Sequence, residues 1–358
     1  MRKDKMSGII LLVLLSTLTA GNAIDARNDN GKAAGSVLNI SVHVYTDVNF
    51  TNHFSTSKEA TDYLLRFLKS VFLRFQKARP HLKLYLRNIT LLNDTKVEDE
   101  CFSYGEFNHS AYYASHRSPT KYVKLENSLR TFKNCTKNAT SPAYRTNNAS
   151  LVLVLTSYET RKVGGIAGFQ PWPGLASKKA GICTEDNLAI SPDMPGVYIG
   201  VLAAVRVLGH LMGAEYDDLR KGKGASNPDC QASDRFVMSR FENKEQSNRF
   251  SDCSLEEMEA TLKNMTCTDT GPEPPEYKIN STIKYPGEDM SREVQCKKIR
   301  PNYVAAGRNK YQCLLECQHT GVSVGGLFTY QMLDGQHCTD EQFCYGGLCS
   351  DRAPAGHE

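Results

Sequence analysis

Arg206-Val207-Leu208-Gly209-His210-Leu211-Met212-Gly213-Ala214-Glu215-Tyr216-Asp217 is the stretch that decides how this chain is read. Its spacing is that of H-E-x-x-H-x-x-G-x-x-H, a zinc-binding helix and the turn that closes it. In that pattern two His, one helical turn apart, present nitrogens to zinc from one face. The Glu beside the first His is the general base, and the Gly turns the chain so that a third His completes the site. Here Arg206 stands at the first ligand position, Val207 at the base and Tyr216 at the third ligand, while His210 and Gly213 remain.

The substitutions change the chemistry. A guanidinium stays protonated and offers no lone pair, so Arg206 cannot ligate zinc and would repel a dication. Val207 can neither take a proton from water nor give one to a leaving amine. Tyr216 carries a phenol, which ordinarily keeps its proton near neutral pH. A catalytic zinc needs three protein ligands and an open position, and His210 supplies one. Three roles are open to the charged residues of the stretch: Arg206 paired with Asp217 or Glu215, Arg206 facing solvent, and His210 hydrogen-bonded to a neighbour as a polar remnant.

Outward from this stretch, the compartment is legible. Arg2, Lys3 and Lys5 precede a mainly apolar run over residues 8–20, then Gly21-Asn22-Ala23. That is a secretory signal peptide, too short to span a bilayer, and no later stretch is long and apolar enough to do so. The chain has 12 Cys, an even number that suits an oxidising compartment. Asn39, Asn49, Asn88, Asn93, Asn108, Asn134, Asn138, Asn148, Asn264 and Asn280 each open an N-x-S/T triplet, so a heavily glycosylated, secreted, extracellular protein is expected. The net charge of +4 gives no support to nucleic-acid binding, and Arg220-Lys221-Gly222-Lys223 reads as a solvated loop.

The elements imply a mixed α/β fold. Residues 37–48 alternate as a strand, with Leu38, Ile40, Val42 and Val44 on one face. Residues 60–75 carry apolar side chains at helical spacing. Two further strands follow, over 82–92 and 151–155, and this βαβ opening predicts a mixed sheet. Residues 164–168 read as an edge strand or tight turn, and 197–212 as a helix carrying the degenerate motif. A Pro-rich linker begins at Thr270, and Cys296, Cys313, Cys317, Cys338, Cys344 and Cys349 lie beyond it, in a stretch too poor in apolar residues to fold without bridges. Six Cys allow 15 connectivities, among which sequence does not choose.

With these residues in hand, the chain resembles the reprolysin (adamalysin) branch of the metzincins, and most of all the secreted reprolysin-like proteins of tick saliva. The resemblance covers residues 36–350. Phe236-Val237-Met238-Ser239 is similar to the Met-turn, which in the family runs under the metal. Phe250-Ser251-Asp252-Cys253-Ser254 and Cys267 resemble the end of the catalytic domain, and Asp217 follows the third-ligand position as it does in the family. Leu333-Asp334-Gly335-Gln336-His337-Cys338 and residues 344–349 resemble the cysteine-rich module.

The resemblance implies a metzincin (zincin-like) mixed twisted sheet with an active-site helix, followed by a small disulfide-rich module. It divides the chain into a signal peptide over 1–23, a short segment over 24–35, a metalloprotease-like domain with a degenerate site over 36–269, a linker over 270–284, a cysteine-rich module over 285–350 and a tail over 351–358. By analogy Cys101 pairs with Cys135, Cys183 with Cys267, and Cys230 with Cys253. Gly213, Asp217 and Met238 would be its structural residues. No cofactor is expected. The function expected is that of a pseudoenzyme binding extracellular host proteins, with Gly164, Gly165, Gly168 and Trp172 at a cleft edge available to a partner. The alternative is an active zinc metalloendopeptidase with an atypical ligand set, which would require zinc.

Overall fold

In Leu38–Thr46, which forms strand β1, Leu38, Ile40, Val42 and Val44 alternate with Asn39, Ser41 and His43, and every residue from Ile40 onward is buried. The computed structural model describes residues 37–107, 120–138, 149–163, 169–171, 173–217, 230, 236–239, 248–265, 267, 274–309, 313–321 and 326–351. The expected signal peptide and the segment over 24–35 lie outside these, as do Gly164, Gly165, Gly168 and Trp172.

After a single turn, α1 (Val48–Thr51), helix α2 (Ser57–Ala78) carries the apolar stripe seen in the sequence. Its Thr56 hydroxyl accepts from Glu59 N, a standard N-cap, and it stops where Arg79 precedes Pro80 and turns to extended backbone. Strand β2 (Leu82–Leu91) returns parallel to β1. Then come α3 (Thr95–Cys101), β3 (Tyr104–Phe107), β4 (Thr120–Lys124) and α4 (Leu125–Asn138). Strands β5 (Leu151–Thr156), β6 (Glu159–Val163), β7 (Phe169–Pro171), β8 (Leu175–Ala176) and β9 (Leu188–Pro192) follow, and then helices α5 (Val201–Leu211) and α6 (Asp252–Lys263).

The main sheet has the order β2-β1-β5-β9-β8, with parallel neighbours except at the β8 edge, which runs antiparallel to β9. A second sheet, β3-β4-β6-β7, stands apart. Alternation explains why β5 is apolar throughout. Leu151, Leu153 and Leu155 join the core shared with α2, α5 and α6, whereas Val152 and Val154 join a second core against α4. The mixed α/β class read from the sequence is thus the class observed.

The remaining elements are α7 (Arg292–Ile299), β10 (Tyr303–Asn309), β11 (Leu314–His319), β12 (Leu327–Gln331), β13 (Phe343–Tyr345) and β14 (Leu348–Ser350). This C-terminal region has its own small core of Tyr303, Leu315 and Met332 among cysteines, and holds the bridges Cys296–Cys317, Cys313–Cys344 and Cys338–Cys349. It also packs on α2. Arg74 and Asp334, both almost fully buried, form an ion pair at 2.7 Å. Lys77 Nζ donates to Tyr345 O at 2.6 Å, Arg66 meets Asp289 at 2.7 Å, and Leu73 packs with Tyr285 and Tyr345. The described residues belong to one compact unit.

Candidate functional site

Helix α5 carries the first ligand position, the base position and His210. It begins at Val201 rather than near 197, because a tight turn precedes it: Tyr198 has a φ of 61° and Val197 N bonds to Met194 O. Gly200 at the N-cap has no side chain, so the buried Asp193 carboxylate accepts from Gly200 N at 2.8 Å instead. Asp193 also accepts from the Tyr63 hydroxyl at 2.6 Å, and desolvation pushes its carboxyl up to about 7.

At the other end of α5, Gly213 has a φ of 110°, a conformation that favours glycine. A Cβ there would lie 2.0 Å from Thr261 Oγ1, so the close approach of α6 also requires glycine.

His210 is buried and donates Nδ1–H to Ala214 O at 2.7 Å. A carbonyl only accepts, so this bond fixes the tautomer and leaves the Nε2 lone pair bare. Nε2 is buried without a hydrogen-bond partner. Desolvation lowers the imidazole to about 4, so the ring is neutral at physiological pH. The Tyr216 ring stands edge-on to it at a centroid distance of 4.2 Å.

Arg206 is buried rather than solvent-facing. Its Nε donates to Val237 O at 2.9 Å and its Nη2 to Ser239 O at 3.1 Å. Between these two carbonyls, Met238 O accepts from Asp217 N at 3.1 Å. The turn over 236–239 is therefore held from three successive carbonyls, two of them by Arg206. Asp217 in turn accepts from Ser251 Oγ at 2.8 Å, and Glu215 lies 3.5 Å from Lys179 Nζ. Met238 is buried, with Sδ 3.1 Å from where a Cβ on Gly209 would sit, so the turn packs directly under α5.

Val207 faces the main core, against the strand border at Gly174. The antiparallel edge of the main sheet is β8, whereas β7 pairs with β6 in the second sheet. The strand bordering α5 therefore begins three residues beyond the last of the expected cleft-edge residues, Trp172.

This donor set does not fit a catalytic zinc ion. Of the three ligand positions, one offers a lone pair poised for a metal, one a cation already committed as a donor, and one a phenol. The base position holds a hydrocarbon. Among the described residues, the one trio of His, Cys, Asp or Glu close enough to share an ion is Cys313, Cys338 and Cys344, and all three are in disulfides. N-terminal to residue 270 the structure pairs Cys101 with Cys135, Cys183 with Cys267, and Cys230 with Cys253.

Sequence reasoning missed the carbonyl partners of Arg206, since backbone acceptors leave no mark in a sequence. It also missed Asp193 as the anchor of α5.

No family model matches the chain. A protein of Bombyx mori described as "A disintegrin and metalloproteinase with thrombospondin motifs like" is 28% identical over 191 residues, which is 52% of this chain and 27% of that protein. The chain thus spans about a quarter of the length of this relative. Among solved structures, metalloproteinase-II of Bacteroides fragilis is 13% identical, with a TM-score of 0.36 over 64% of this chain and 55% of that one. The archaemetzincin of Methanopyrus kandleri is 13% identical, with a TM-score of 0.33 over 64% of this chain and 99% of that one. Over half of its length, then, the chain is similar in sequence to a metalloproteinase-like protein. No helix among the described residues is long and apolar enough to cross a membrane.

Proposed function

We propose that this chain is an extracellular metalloprotease homologue that does not cut peptides and acts by binding other extracellular proteins. The observation that carries the reading is the buried Arg206 guanidinium, which stands at the first ligand position and donates to Val237 O and Ser239 O. A fixed cation there opposes a dication, and Val207 beside it removes the general base. The six disulfides, the leader-like N-terminus and the N-x-S/T triplets support an extracellular setting. The resemblance to secreted tick proteins favours host proteins as partners.

The test is metal content and proteolysis on the purified secreted chain. Dialysed protein is expected to hold far less than one zinc per chain, to show no chelator effect on its melting temperature, and to leave denatured protein substrates intact. One zinc retained per chain, with cleavage abolished by chelation, overturns the reading. A second reading has one observation in its favour. His210 is neutral, oriented through Nδ1 and bare at Nε2, which is the form of a metal ligand. An active enzyme with substitute ligands would have to build on that nitrogen.

A further inference from the structure

A cleft of about 570 Å³ separates the turn that precedes α5 from strand β12. It lies at the N-terminal end of α5. Ala203, the last residue of that helix to line it, is seven residues from His210, about 10 Å along a helix that rises ~1.5 Å per residue. One wall carries Met194 and Ile199, both exposed apolar side chains. The other is an unbroken run of the chain, residues 329–334. Side chains of a strand alternate between faces, so a wall contributed by Thr329, Tyr330 and Gln331 in succession is a strand edge and not a face.

The hydrogen bonding agrees. β12 is the last strand of its sheet, in the order β10-β11-β12. At its two ends, Met332 N bonds to Cys313 O and His319 N to Gly326 O. These bonds fix the parity of the antiparallel ladder: even-numbered residues of β12 exchange bonds with β11, and odd-numbered ones turn their N–H and C=O outward. Gln331 O takes one outward bond, from Gln295 Nε2 at 3.0 Å. Leu327 and Thr329 turn theirs to the side on which, among the described residues, no further strand pairs.

Charge narrows the occupant. The charged groups lining the cleft are matched within the molecule: Arg74 with Asp334 at 2.7 Å, Glu159 with Arg161 at 2.9 Å, and Asp193 with the Tyr63 hydroxyl and Gly200 N. A ligand charge would enter without a counter-ion. Of the ten N-x-S/T triplets none begins at a residue lining the cleft, and one borders it: Asn49 Nδ2 donates to the lining Ser157 Oγ at 2.6 Å.

We propose that this cleft is a docking groove for an extended, uncharged segment of a partner polypeptide, which adds as a strand to the outward-facing backbone of Leu327 and Thr329 and rests its apolar side chains on Met194 and Ile199. Main-chain bonds to an exposed sheet edge supply affinity in such recognition, and flanking apolar surface supplies preference. The groove works whether or not the His210 site holds a metal.

The full-length chain, immobilised, is used to select from a phage-displayed library of random peptides. The expected winners are uncharged, with β-branched or aromatic residues at alternate positions. Two variants then test the geometry on a winning peptide. Thr329→Pro deletes an outward N–H, a substitution that edge strands tolerate because no ladder bond is lost. Ile199→Asp places a charge on the opposite wall at an exposed position. Each is expected to weaken binding about tenfold or more, while His210→Gln, at the far end of α5, leaves it unchanged. Far-ultraviolet circular dichroism and melting temperature confirm that the variants fold. An absence of enrichment, winners dominated by charged peptides, or winners whose binding survives both Thr329→Pro and Ile199→Asp overturns the proposal. Loss of binding in His210→Gln alone would assign the peptides to the degenerate metal site and overturn it too.

Discussion

Arg206 Nε donates to Val237 O at 2.9 Å, so a side chain joins the motif helix to the turn beneath it. In the zinc-binding version of the pattern, a metal organises this end of the fold by binding the helix and the segment after the Gly. Here a guanidinium braces α5 against residues 236–239, and its fork satisfies two carbonyls at once.

Arg206→Ala is therefore expected to destabilise the chain by about 3 kcal/mol, since it strands two buried carbonyl acceptors at ~1–3 kcal/mol each and opens a cavity. Arg206→Lys keeps the charge but not the fork, and its loss should be smaller. Urea unfolding monitored by fluorescence measures both. A change within about 0.5 kcal/mol for the Ala variant, the range of an ordinary surface substitution, would show that Arg206 does not brace the turn.

His210 gives a pH dependence with a definite sign. Burial lowers its folded-state pKa to about 4, below the ordinary value of about 6.5 that it has when unfolded. Between those values the unfolded chain binds the extra proton, so stability is full above pH ~6.5 and is lost as pH falls toward ~4. The loss attributable to this residue is up to about 3 kcal/mol. Asp193, raised from 3.8 to about 7, works in the opposite direction across the whole of that window. The effect of His210 is accordingly read as the difference between wild type and His210→Gln, in unfolding free energies at pH 7.5 and pH 5. Equal pH slopes in the two proteins would sink the assignment.

The main sheet, α2 and α5 were legible because their apolar residues follow periods that burial enforces on both faces of the sheet. The start of α5 was misplaced toward 197, since apolar content continues through Val197 while the backbone is bent by the turn at Tyr198. The altered chemistry at Arg206, Val207 and Tyr216 was legible from residue type alone. The partners of Arg206 were not, because they are main-chain atoms brought from 31 and 33 residues away. The seating of the C-terminal region had a sequence signature that is clear in retrospect. Arg66, Lys69, Arg74 and Lys77 interrupt the apolar α2 on one side, and all four bond to residues beyond 279.

That seating yields a third prediction. Arg74→Ala leaves the Asp334 carboxylate buried without its cation, which typically costs about 3–5 kcal/mol. Replacing both, as Arg74→Leu with Asp334→Leu, should recover much of the loss, since a buried ion pair is often no better than a well-packed apolar one. Asp334 Oδ1 also accepts from Gly346 N at 2.6 Å, so recovery will be incomplete. Thermal unfolding of the wild type, the single and the double variant measures this. A single variant as stable as the wild type would mean that the C-terminal region is not fastened to α2 through this pair.

The last prediction concerns restoring the motif. Gly213 keeps its turn, Met238 lies beneath α5, and His210 already points a bare Nε2 away from its Ala214 contact. Tyr216 sits edge-on to that imidazole at 4.2 Å, so a His at 216 would lie beside it, and a His at 206 would be one helical turn away on the same face. Arg206→His with Tyr216→His is therefore expected to bind one zinc per chain. The same pair of changes removes the brace to Val237 and Ser239, so the apo variant should be less stable than the wild type and should regain stability when zinc is added, by an amount that grows with the free metal concentration. Calorimetric titration with zinc, together with melting temperatures with and without metal, checks both halves. Adding Val207→Glu is expected to cost further stability in the apo state, because it places a carboxylate where a core hydrocarbon now packs near Gly174. If the double variant folds and still fails to bind zinc, the backbone around His210 has departed from ligand geometry, and the loss of the site involves more than its ligands.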